Sequence, residues 1–170
     1  MFALLERICI VVRHVMSASV IVLFSVMLIA VLVQVAGRYV FNFSIAQASE
    51  IATFSQIWLV LLGSGVALAR GQHVAIDMLP AMLPLPYARM ALVAITLVIA
   101  GFLLVLGWGS LPLLKMGAFQ NSPAMRIPMS YVYLCLPIGS AYMALELLLA
   151  VLQRWDDPFP PPVADAEEAV

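Results

Sequence analysis

The chain has 170 residues, of which 65% are hydrophobic and only 10% charged, and its mean hydropathy is +1.10. A soluble domain carries about 25% charged residues, so a water-soluble globule is excluded, and a net charge of −1 gives no basis for binding nucleic acid. At roughly 20 apolar residues per crossing, the length admits about four membrane spans and no separate domain outside the lipid.

The first fifteen residues contain Glu6 and Arg13 and close on no small-residue cleavage site, so they read as part of the mature chain and not as a signal peptide. A first apolar run covers about residues 15–37 and ends at Arg38, one turn after Gln34. Next comes "RYVFN", with Asn42 between aromatics suited to a headgroup belt. Glu50 then opens a second run, about 51–69, where a carboxylate suits the positive end of the helix dipole. Arg38 and Glu50 either pair, within this chain or with another subunit, or each reaches separately to the headgroups. Beyond Arg70, "HVAIDMLPAML" is too short and too polar to span and reads as an interfacial segment over 73–83. His73 and Asp77 share one face of it, as a solvated polar face, a docking surface or a pH-sensitive contact.

A third run covers about 90–114, after the loop "PLP" at 84–86. In the next loop, "NSPAMRIPM", Ser122 is suited to cap a helical turn with Pro123 at its first position, and Pro128 to open the last run, about 128–152. Pro137 should kink that helix and free the carbonyl of Tyr133. Glu146 lies about two turns inside its end, and a charge in hydrocarbon requires a partner; Arg13, Arg70 and Arg89 are the candidates. Gly63 with Ala67, and Ser140 with Ala144, are spaced for close helix approach. Residues 155–170 are acidic and proline-rich and should be disordered. The runs are continuous instead of alternating, which excludes a β-barrel. The expected fold is an all-α integral membrane domain over 1–154 with four transmembrane helices.

Arg7, Arg13, Arg70, Arg89 and Arg154 fall on one side of such a fold, and Arg38, Lys115 and Arg126 on the other. The excess places both termini in the cytoplasm. No metalloprotease, nucleophile-elbow or phosphate-loop motif is present, so no enzymatic activity, metal or cofactor is expected. Haem held by His14 and His73 is a poor fit, because one precedes a span and the other follows one. Cys9 and Cys135 lack metal-ligand spacing and read as packing residues. A transporter acting alone should show broken helices or polar groups near mid-membrane, and the first and third runs have almost none.

Four blocks in order carry a resemblance: "RYVFN" at 38–42 followed by Glu50, "WLVLLGSGVALARGQHVAIDML" at 58–79, "LP" at 83–84, and "SPAMRIPMSYVYLCLPIG" at 122–139. Together they resemble the small permease subunit of tripartite ATP-independent periplasmic (TRAP) transporters, over about residues 34–150. The resemblance implies a multi-pass protein of the bacterial inner membrane that performs no chemistry. It implies assembly with a large permease subunit, which takes organic acids such as C4-dicarboxylates or sialic acid from a periplasmic binding protein and is driven by a sodium gradient. Because the chain stops after the fourth run, the separate subunit is expected and not the form fused to its partner. Gln47 stands where the family often has Trp, and Ile51 where a second acid is usual; Thr53, Phe54 and Ser55 replace a common arginine. These departures thin the family's ion network at that face to Arg38 and Glu50. The structural or subunit-interface residues expected on these grounds are Arg38, Asn42, Glu50, His73, Asp77, Ser122, Pro123, Pro128 and Glu146. The alternative is a self-contained homo-oligomeric transporter or channel with Glu146 as its coupling group.

Overall fold

The structure is a computed structural model describing residues 2–70 and 84–153. The helices are α1 Phe2–Tyr39, α2 Ala46–Ala69, α3 Leu85–Gly117, the single turn α4 Ser130–Tyr133, and α5 Cys135–Gln153. α1, α2, α3 and the α4–α5 stretch give four helical segments long and apolar enough to cross a membrane. The fold is all-α. The expected interfacial segment 73–83 and the tail 155–170 lie outside the described residues.

Helix limits depart from the apolar runs for local reasons. α1 begins at Phe2 and not near Val15, because a charged residue ends an apolar run without ending a helix. Its 38 residues reach roughly 57 Å at 1.5 Å per residue, nearly twice a ~30 Å hydrocarbon layer. α2 begins at Ala46, so Glu50 sits in its second turn and does not open it. "PLP" is the start of α3 and not a loop: Pro86 falls in the first turn, where a missing N–H leaves nothing unpaired. The last span opens at Ser130 and not at Pro128. Pro137 has no N–H for the Tyr133 carbonyl, and the helix is interrupted at Leu134. The φ of −57° and ψ of −24° there stay right-handed, so α5 continues the span.

α1 packs on α2, α2 on α5, and α5 on α3, while α4 bridges α3 and α5. α1 makes no close backbone approach to α3 or α5. The arrangement is therefore a row, α1–α2–α5–α3, and not a closed bundle. Helices at the ends of a row have one neighbour each, so α1 and α3 leave most apolar side chains uncovered, Ile21, Ile29, Val98 and Leu104 among them. The interior helices supply most of the core, including Ala52, Leu62, Cys135, Tyr142 and Leu147.

Glycines set the spacing in this row. A Cβ on Gly65 of α2 would run into the Tyr142 ring, and one on Gly139 of α5 would come within 2.8 Å of Leu61 Cβ. At α3, Gly107 faces Ser140 Oγ, and Gly117 lies against Tyr133 and the Ser130 backbone. Of the expected small-residue pairs, Ser140 does sit in a contact, but Gly63 has nothing within 4 Å of where a Cβ would lie. The approach glycine of α2 is Gly65, two positions along and so on a different face. Gly65→Ala should therefore destabilise the purified protein by about 1–3 kcal/mol, as overpacking does, whereas Gly63→Ala should leave it unchanged or firmer. Thermal unfolding in detergent, followed by circular dichroism, reads the difference.

Candidate functional site

The charged groups of the described row gather at its two ends, beginning with Glu50. The loop 118–129 returns the chain from α3 to α4, and its middle is one helical turn. Pro123, Ala124 and Met125 form that turn, and the Arg126 N–H closes it by donating to the Ser122 carbonyl at 3.1 Å. Arg126 then takes a φ of +56°, left-handed backbone that disfavours a side chain by roughly 1–2 kcal/mol. The turn is tied at its base, where Ser122 N–H donates to Ile127 O at 2.9 Å and Met129 N–H to Gln120 O at 2.8 Å.

A helical turn exposes N–H groups at its start that need acceptors. Ser122, suited by sequence to cap them, has a buried hydroxyl that accepts from Ile127 N–H at 3.4 Å instead. The donors of the turn point to α2. Ala124 N–H donates to Glu50 Oε1 at 2.7 Å and Met125 N–H to Glu50 Oε2 at 2.9 Å. One carboxylate thus caps two adjacent amides from another helix, a charge-assisted arrangement stronger than a neutral cap. Arg38 is exposed in the last turn of α1 and forms no ion pair with Glu50. Of the two readings the sequence leaves open for Arg38 and Glu50, direct pairing is not the one the structure has: Glu50 lies one turn inside α2 and is aimed at the loop.

Asn42 has a φ of +50°, a conformation asparagine tolerates better than most residues. It reverses the chain between α1 and α2, where Phe43 N–H donates to Gly37 O at 2.9 Å. Pro128 pairs with Asn121 across the loop base. His73 and Asp77 lie outside the described residues. His14 Nδ1 lies 2.9 Å from the Ile10 carbonyl of its own helix.

At the opposite end, Glu146 of α5 is 1% exposed and meets Arg13 of α1. Arg13 Nε lies 3.0 Å from Oε1 and Nη2 lies 2.7 Å from Oε2, the two-pronged geometry of guanidinium and carboxylate. Of the three candidate cations, Arg13 is the one that makes the contact. Its long stem spans the gap between two helices whose backbones do not meet. Tyr142 stands one turn before Glu146, with its ring in the niche left by Gly65. Its buried hydroxyl has no hydrogen-bond partner among the described residues. Sequence reasoning missed Tyr142 and Gly65. The signal available was Tyr142 at i−4 from an intramembrane carboxylate, which puts both on one face.

Residues 27–157 match the family described as tripartite ATP-independent periplasmic transporters, DctQ component. The chain belongs to that family. Among relatives, the DctQ-family chain is 32% identical over 129 residues to the uncharacterized protein y4mM of Sinorhizobium fredii, covering 72% of this chain and 24% of that one. It is 30% identical over 101 residues to the isethionate TRAP transporter permease protein DctMQ of Oleidesulfovibrio alaskensis, covering 58% and 16%. A protein of Haemophilus influenzae named as a TRAP transporter small permease protein is 20% identical over 120 residues, covering 71% and 73%. The chain thus spans about a quarter or less of the first two relatives.

Within the DctQ-family chain, two of the motif blocks are physical partners: the carboxylate after "RYVFN" caps the turn in "SPAMRIP". Glu50→Ala should leave that turn uncapped and speed hydrogen exchange at the Ala124 and Met125 amides, read by mass spectrometry, with α3 and α5 unaffected. Arg38→Glu combined with Glu50→Arg should be strictly additive in stability, because the two side chains share no contact.

Proposed function

We propose that this chain is the scaffold small permease subunit of a TRAP-type secondary transporter in the bacterial inner membrane, with both termini in the cytoplasm. In that orientation the Glu50 end faces the periplasm and the Arg13–Glu146 end lies at the cytoplasmic leaflet. The subunit joins a large permease subunit, receives substrate from a periplasmic binding protein through the complex, and serves uptake of organic acids driven by a sodium gradient. The observation that carries this reading is the open row. It leaves broad apolar faces on α1 and α3, while the carboxylates of Glu50 and Glu146 are both engaged inside the chain. Such faces suit lipid on one side and a membrane partner on the other.

The runner-up, a self-contained transporter coupled through Glu146, is disfavoured by the same geometry. A coupling carboxylate must exchange its partner during each cycle, and both oxygens of Glu146 are held by one guanidinium. Co-expression with a large permease and purification through this chain should recover both proteins, and uptake into proteoliposomes should require both. Uptake by this chain alone would overturn the reading.

A further inference from the structure

One buried group is left over by the contacts described above. Tyr142 is 4% exposed, and its enclosed hydroxyl has no hydrogen-bond partner among the described residues. A buried polar group without a partner costs free energy and calls for an explanation. Its ring sits in the niche at Gly65. Glu146 follows one helical turn later on the same face, and of the charges around the hydroxyl its own acts most strongly. The two groups nevertheless fall short of a hydrogen bond, while both Glu146 oxygens are turned to three N–H contacts with Arg13.

These two partners become available at different times. Transmembrane helices form in the membrane before they pack against one another. Glu146 therefore enters hydrocarbon on α5 at a stage when Arg13, 133 residues away on α1, is not yet beside it. A carboxyl group there needs a donor, and its own helix offers one. The side chains one turn away in either direction are Tyr142, Met143, Leu149 and Ala150. Of these, tyrosine alone has a hydrogen to donate. Ser140, further back, gives its hydroxyl hydrogen to the Pro137 carbonyl at 3.1 Å. In either protonation state, a carboxyl oxygen accepts the tyrosine O–H.

We propose that Tyr142 is the partner of Glu146 while the last span inserts, and that Arg13 replaces it when α1 joins the row. The replacement accounts for the idle hydroxyl. On packing, α2 receives the ring at Gly65, and the carboxylate turns to the guanidinium. The two-pronged, charge-assisted contact outweighs the bond given up. Tyr142 thus serves twice, first as a donor within its own helix and then as a filler between α2 and α5. The inference concerns the assembly of this chain alone and does not depend on the scaffold reading.

Tyr142→Phe removes the hydroxyl and keeps the ring. In the full chain with a reporter fused at the C-terminus, the side the reporter reaches gives the share of chains whose last span has inserted. Phenylalanine is the more apolar residue, so by hydropathy alone the substitution should raise insertion. The expected result is the opposite: the ratio of inserted to uninserted chains falls about fivefold, the worth of one hydrogen bond. In a Glu146→Leu chain, where no carboxyl needs a donor, the same substitution should not lower it. Thermal unfolding in detergent is the second readout. Tyr142→Phe should leave the midpoint of the parent unchanged and lower that of Arg13→Met by about 3 °C, because the carboxylate there falls back on the hydroxyl. Insertion that Tyr142→Phe leaves unchanged or raises would overturn the proposal. Equal loss of stability with and without Arg13 would mean that the hydroxyl is bonded in the packed chain, and would overturn it too. So would a deeper loss in Arg13→Met from Arg70→Gln than from Tyr142→Phe, which would make Arg70 the substitute.

Discussion

Helices this apolar gain nothing from the hydrophobic effect when they meet in lipid, because the tails are as apolar as leucine. Cohesion in this row has to come from close backbone approach and from polar groups that find each other. The pair between Arg13 and Glu146 is the polar contact on which the arrangement depends most. Among the described helices α1 approaches only α2 through its backbone, and the guanidinium carries its reach past that neighbour to α5. Without it, a nearly fully buried carboxylate would stand uncompensated in a low-dielectric site.

The other end is fastened by a different chemistry. Glu50 grips backbone amides of a loop, so the bond depends on the shape of the turn more than on the side chains at 124 and 125. That turn has its own requirements: proline at 123 to begin it, a buried Ser122 to tie it, and a left-handed Arg126 to end it. Between the two fastenings the middle of the row is apolar and spaced by Gly65, Gly107 and Gly139. Glycine contacts and end fastenings act together: the niche at Gly65 admits Tyr142, whose position brings the face bearing Glu146 toward α1.

The architecture was legible because lipid leaves little choice. Continuous apolar runs of sufficient length can only be helices there, and four of them were visible. Glu146 also announced itself, since a carboxylate inside an apolar run requires a cation. Less legible was the partner of Glu50. Backbone N–H groups have no letter in a sequence, whereas Arg38, the nearest charge, does. Gly63 and Gly65 could not be told apart by spacing alone, because the choice depends on which face of α2 meets α5. The limits of α1 were hidden for a related reason: hydropathy reports where lipid ends, while helix propensity continues through Arg13 and Glu6.

The most direct measurement is a double-mutant cycle on the pair that ties α1 to α5. Unfolding of Arg13→Met, Glu146→Met and the double variant would be followed in detergent. Removing one partner of a buried pair costs about 3–5 kcal/mol, and the partly exposed Arg13 places the expectation at the lower end. Either single change should be strongly destabilising, and the double variant should regain most of the loss, a coupling of roughly 2–3 kcal/mol. Additive effects of the two substitutions would contradict the pair as the contact that holds the row together.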